Sequence, residues 1–125
     1  MSHAISTIGQ TATLRSSSGL ALGEISVIGV EDGIHVIARL ALTEASADAV
    51  EHRLLRDLAE ACEYLAFAVI EERERDLRRL GLYLDLGDDL SQLQLGSDFA
   101  GIIVTDECKQ MSFRMLNLSD ERSEG

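Results

Sequence analysis

Apolar and polar residues alternate in the first third of the chain, a period-two pattern that is typical of half-buried β-strands. One alternating run covers 34–42 and a shorter one covers 25–27, with Asp32-Gly33 between them. Asp-Gly between two such runs predicts a β-hairpin, because both central residues of a type I′ turn need positive φ. The sequence therefore predicts two antiparallel strands joined at this dipeptide.

The segment before the hairpin also has a strand-like composition. Leu22 is out of phase with Ile25, and Gly23 between them predicts a β-bulge. Residues 4–14 are rich in Thr, Ile and Ala and are expected to add an edge strand, which the SSSG turn at 16–19 joins to the next strand.

A helical pattern replaces the strand pattern in the middle of the chain. Ser46 offers an N-cap, while Arg79 and Gly81 form the cation-then-glycine signature of a helix C-terminus. The pattern predicts one helix over 46–80. Its apolar stripe, at spacings of four and three, consists of Val50, Leu54, Leu58, Cys62, Leu65 and Val69.

This helix changes character abruptly, from ACEYLAFAVI at 61–70 to EERERDLRR at 71–79. A straight helix of this length would span about 50 Å, whereas a domain of this size is only about 35–40 Å across. The apolar half is therefore expected to lie on the sheet, and the charged half either runs past the sheet or follows a break. The charged half would be stabilised in water by the pairs Glu71–Arg75, Glu72–Arg75 and Glu74–Arg78.

Strand-like runs return after the helix and are separated by polar turns. They cover 82–86, 92–95, 99–105 and 111–115. The predicted fold class is α+β: a mainly antiparallel sheet of about five to seven strands, in the order β-β-β-α-β-β-β, with one long helix packed on one face.

The domain organisation follows from the same pattern. Residues 1–118 are expected to form a single α+β domain, and 119–125 a disordered acidic tail. Several strands are apolar on both faces; for example, Ile102 alternates with Phe99 in FAGIIVT, and Ile37 lies opposite the main row of its own strand. One helix cannot cover both faces of a sheet, so the sequence favours a homodimer.

Net charge is the extreme property of the composition. The 125 residues carry 22 acids and 11 bases, a net charge of −11, and the segment 81–125 holds nine of the acids against three bases. Such a charge disfavours direct binding to nucleic acid or to an anionic membrane, because phosphate contacts come from Lys and Arg. Apolar runs are too short for a membrane span, and the N-terminus lacks the pattern of a signal peptide. We therefore expect a cytoplasmic protein.

The sequence holds few candidate chemical groups. Neither phosphate-binding glycine motifs nor a nucleophile elbow occur, the acidic stretch 85–89 departs from the EF-hand loop, and His52 lacks the second histidine of HExxH. Cys62 lies on the apolar stripe, where a thiol is inert, whereas Lys109 beside Cys108 is expected to lower the pKa of that thiol. No cofactor, metal or catalytic group is predicted, and a non-enzymatic protein is favoured.

Three functional hypotheses remain open. The first is a small acidic protein-interaction module of the inhibitor, adaptor or chaperone type, acting as a homodimer on a protein partner, with a basic partner as one option. The second is an inhibitor that mimics nucleic acid through acids clustered at turns. The third is a small enzyme or small-molecule binder with a cavity lined by Tyr64, Phe67 or Phe99 and His35. The predicted partner-binding residues are Glu71, Glu72, Arg75, Arg78, Asp85, Asp88, Asp89, Asp98, Asp106 and Glu107.

Overall fold

The computed structural model describes residues 8–44, 48–87 and 92–116. These residues form seven strands and two helices, so the fold is mostly β. In chain order the elements are β1 (Thr11–Arg15), β2 (Ala21–Glu31), β3 (His35–Leu42), α1 (Val50–Glu63), α2 (Phe67–Arg79), β4 (Tyr83–Asp85), β5 (Gln92–Gln94), β6 (Phe99–Thr105) and β7 (Gln110–Met115).

The seven strands pair antiparallel in one sheet, in the order β5-β4-β1-β2-β3-β7-β6. The sheet curls into a half-barrel, and a bridge between Leu95 and Phe99 brings its two edges together at one point. The predicted α+β class with order β-β-β-α-β-β-β and one long helix is therefore wrong. Two short helices replace the long one, and four strands follow them, because the runs at 82–86 and 92–95 form separate strands that pair with each other.

The hairpin predicted at Asp32-Gly33 is confirmed. Asp32 has φ +56° and Gly33 φ +74°, and the N–H of Ile34 donates to the carbonyl oxygen of Glu31 at 3.1 Å. Both central residues of the turn thus adopt the positive φ that the dipeptide predicted. The turn sets the register of β2 and β3 by placing Glu31 opposite His35.

β1 lies inside the sheet and is not the predicted edge strand, because β4 pairs with its free side across Leu14 and Leu84. The bulge predicted near Gly23 is present. Leu14 pairs with Gly23, and the next residue of β1 pairs with the residue two positions before Gly23. Leu22 therefore has no partner in the ladder. The extra residue changes the phase of the strand, so Leu22 and Ile25 both point into the core.

The predicted single helix over 46–80 is broken between Glu63 and Phe67, so the charged segment follows a break. Leu65 adopts φ +56°, and two hydrogen bonds close the end of α1: the N–H of Leu65 donates to Cys62 and that of Ala66 to Ala61. This is a Schellman motif, a common helix end. The break folds α2 back on α1, which resolves the conflict between the length of a continuous helix and the width of the domain.

The two helices pack on each other and on β6, one edge of the half-barrel. A carboxylate oxygen of Glu74 in α2 accepts the backbone N–H of Gly101 at 2.8 Å. In α1, the thiol of Cys62 hydrogen-bonds with the backbone of Val104. Side chains of both helices therefore hydrogen-bond with backbone groups of an edge strand. Unpaired backbone groups on such a strand can otherwise pair with another chain and cause aggregation.

A bulge in β6 removes this strand from those that were predicted to be apolar on both faces. The register shifts between Ala100 and Ile103, so Phe99, Ile102 and Val104 are all buried on the same face. Ile103 points outward and is about as exposed as Ile28 on β2. Ile37 remains half-buried on the outer face of β3, and the homodimer stays a prediction.

Candidate functional site

The turn between α1 and α2 carries three large apolar side chains that face solvent. Tyr64 is 72% exposed, Leu65 66% and Phe67 67%. We call these three residues the apolar corner. Leu65 and Val69 belonged to the predicted core-facing stripe, but the break rotates α2 relative to α1 and leaves both of them exposed.

The backbone of the apolar corner is strained. A left-handed conformation costs a non-glycine residue about 1–2 kcal/mol, and glycine is the usual residue at this position of a Schellman motif. The same position after α2 is indeed Gly81, with φ +73°, as the sequence predicted. Strained residues concentrate at functional sites. A leucine at φ +56° therefore supports a functional role for the apolar corner.

Directly below the corner, α1 and α2 leave a cleft of about 280 Å³ between them. We call it the interhelical cleft. It has two acids from α1 and one base from α2, with small or apolar residues between them. Its lining residues are Asp57, Glu60, Ala61, Tyr64, Ala66, Val69 and Arg73.

Arg73 is the one base of the cleft, and it shares the carboxylate of Asp76 with Arg79. Its Nη1 lies 2.8 Å from a carboxylate oxygen of Asp76, one turn further along α2. Its Nε is buried and makes no hydrogen bond to a described residue. Neither Asp57 nor Glu60 lies within ion-pair distance of a base in the described part of the chain. With two acids and one base in its lining, the cleft has a net negative charge.

The predicted charged residues of α2 have two different fates. Glu71, Glu72 and Arg75 are exposed, and none of them forms an ion pair within the described residues, so the predicted Glu71–Arg75 and Glu72–Arg75 pairs are wrong. The predicted Glu74–Arg78 pair is present at 3.8 Å. Sequence reasoning missed the burial of Glu74, because the Gly101 bulge that it bonds lies far away in sequence.

The predicted acids at turns do not come together as one array. Asp85 pairs with Arg15 at 3.0 Å, and the N–H of Gly87 and this guanidinium hold the pKa of its carboxyl below the usual value. Asp98 precedes β6 and accepts the N–H of Gln94, whereas Asp106 follows β6 at its other end. Two further predicted acids, Asp88 and Asp89, lie outside the described residues. Whether any of these acids binds a partner stays a prediction.

A second, wider groove of about 1050 Å³ lies between β3, α1 and the β6–β7 turn. Three consecutive turn residues, Asp106, Glu107 and Cys108, have positive φ. Burial raises the pKa of the Cys108 thiol, and the base that opposes this rise is Arg56 of α1. The expectation that Lys109 activates this thiol is therefore wrong, because burial has the larger effect.

The other candidate groups are structural in the part of the chain that the structure describes. Burial raises the pKa of the Cys62 thiol, as expected for a core position. Phe99 stacks edge-on against Phe113 in the core at 5.1 Å. By contrast, Tyr64 and Phe67 are exposed at the corner and His35 is exposed on the sheet. The predicted lining of a helix–sheet cavity is thus dispersed.

Residues 8–44, 48–87 and 92–116 bring together no group of three His, Cys, Asp or Glu side chains that could hold a metal ion. Neither described helix is long and apolar enough to cross a membrane. Compared with protein-family models, with curated proteins and with solved structures, the chain shows no match in any of the three.

Proposed function

We propose that this chain is a non-enzymatic protein-interaction module whose recognition surface is the apolar corner. The observation that carries the proposal is the two-thirds or greater exposure of Tyr64, Leu65 and Phe67 within four consecutive positions. Tyrosine and other aromatic residues are the usual anchors of protein interfaces. Contiguous exposed apolar side chains on a small domain mark such sites.

The exposed rings of the apolar corner offer a partner a gain in hydrophobic free energy. Aromatic side chains bury about 150–250 Å² each, so the exposed parts of Tyr64 and Phe67 offer roughly 200–350 Å². At about 25 cal/mol per Å² this corresponds to a gross gain of about 5–9 kcal/mol, before the cost of association. Leu65 adds to this area without a further ordering cost of its backbone, which the helix end already fixes.

The other two hypotheses have less support from the geometry. Burial keeps both thiols protonated, and protonated thiols are poor nucleophiles. A mimic of duplex DNA needs a negative charge about every 1.7 Å, whereas Asp98 and Asp106 are separated by the whole length of β6. The free cysteines fit a reducing compartment, and on that ground we place the module in the cytoplasm.

A capture experiment with paired variants tests the proposal. The wild-type chain, Tyr64→Ser/Phe67→Ser and Ile28→Ser/Ile103→Ser serve as baits in a lysate of the native host. The control pair removes two exposed apolar residues from the sheet instead of the corner. We expect proteins that the wild type and the control retain and that the corner variant loses. Equal capture by all three baits would exclude the corner as the recognition surface.

Sedimentation of the same variants tests the homodimer. If the partner were a second copy, the wild type and the sheet control would sediment as dimers at micromolar concentration, and the corner variant as a monomer. If the wild type is a monomer and still captures partners, the interaction module is supported and the homodimer is refuted.

A further inference from the structure

We propose that the corner and the cleft together bind a partner segment that presents an arginine next to an apolar residue. The apolar residue packs on Tyr64 and Phe67, and the guanidinium enters the interhelical cleft between Asp57 and Glu60. This inference rests on the proposed function, since it names the chemistry of the partner that the same surface selects.

The charge of the cleft selects a cation. Asp57 and Glu60 are three residues apart on α1 and both line the cleft, so they lie on one side of the helix. Arg73, the base of the same lining, shares Asp76 with Arg79, and the two acids of the cleft outnumber it. Because neither acid has a basic partner among the described residues, an incoming cation would meet two free carboxylates and would not have to displace an existing ion pair.

The shape and walls of the cleft favour a long side chain. Its volume, about 280 Å³, is sufficient for one long side chain. Ala61 and Ala66 leave room, while Val69 and the ring of Tyr64 provide an apolar wall along which an aliphatic stem can pack. Arginine fits better than lysine, because its planar guanidinium stacks on an aromatic face and binds a carboxylate with two donors.

The charge around the corner argues against the alternative occupants. Glu63 and Glu71 flank the corner in sequence and are exposed, and the whole chain carries a net charge of −11. A second copy would bring a further −11, and nucleic acid or an anionic membrane would bring more negative charge. A basic protein segment is the occupant whose charge complements this surface.

A titration of the ¹⁵N-labelled chain with two dipeptide probes tests the inference. The probes are acetyl-Leu-Arg-amide and acetyl-Leu-citrulline-amide, which have nearly the same shape and differ in the charge. We expect saturable shifts of backbone amides in 57–73 with the arginine probe, and about fivefold weaker binding of the citrulline probe, the size of one exposed ion pair. The preference should diminish as salt rises from about 50 to about 300 mM.

Matched variants locate the preference. Asp57→Asn should lose most of the preference, because Asp57 lines only the cleft while Glu60 lines both cavities. Asp106→Asn, which removes one charge from the wider groove, should keep the wild-type preference. Equal binding of the two probes by the wild type would overturn the inference, as would shifts confined to the wider groove. If Tyr64→Ser/Phe67→Ser loses the captured proteins while the wild type binds the arginine and citrulline probes equally, the proposed function is supported and the basic partner is refuted.

Discussion

Replacing Leu65 by glycine and by alanine tests the break that creates the apolar corner. The two variants remove the same leucine side chain and differ mainly in how easily the backbone adopts φ +56°. Glycine adopts the left-handed region freely, whereas alanine keeps the strain, so we expect Leu65→Gly to be more stable than Leu65→Ala by about 1 kcal/mol. For a chain of this length that difference corresponds to about 3–5 °C in the melting temperature.

The sign of the difference decides between two structures. In a continuous helix, glycine would be about 1 kcal/mol less stable than alanine at an interior position. Urea denaturation followed by circular dichroism measures the difference in unfolding free energy between the two variants. That difference changes by about 2 kcal/mol between the broken helix and the unbroken one. A more stable alanine variant would refute the break and, with it, the apolar corner.

Three further predictions concern groups that stabilise the fold. Glu74→Leu should cost about 1–3 kcal/mol of unfolding free energy by urea denaturation, because the Gly101 N–H loses a charged acceptor; Glu71→Leu, on the same helix, serves as the exposed control. Burial lowers the pKa of His52, so as the pH falls below about 6.5 the unfolded state binds this proton more readily than the folded state. Stability should fall from pH 7 to pH 5, and less steeply in His52→Phe. Asp85→Asn should be less stable than the wild type at pH 7, as measured by thermal denaturation. Because the folded pKa of Asp85 is depressed, that loss should vanish as acid protonates the wild-type carboxyl.

Features set by a few neighbouring residues could be predicted from the sequence. The Asp32-Gly33 turn and the end of α2 at Gly81 both use residues that adopt positive φ readily, and their signals are local. The break at Leu65 gave no such signal, because leucine is rare in that conformation. Only the excess length of a continuous helix pointed to it, and that argument gives no position for the break.

Features that depend on distant pairing could not be predicted. The faces of β6 were assigned wrongly because the Gly101 bulge changes their phase, and the buried role of Glu74 depends on that bulge. The apolar corner was missed because apolar residues at helical spacing were expected to pack on the sheet. The interhelical cleft exists only after α2 folds back, so no sequence spacing reveals that Asp57 and Arg73 line one cavity.

Site-specific photo-crosslinking in the native host tests the role of the apolar corner most directly. Benzoylphenylalanine would replace Phe67 in one version of the chain and Ile103 in another, since both positions are exposed and lie on different surfaces. We predict a light-dependent adduct with a partner protein from position 67 and none from position 103. Adducts from position 103 without any from position 67 would contradict it.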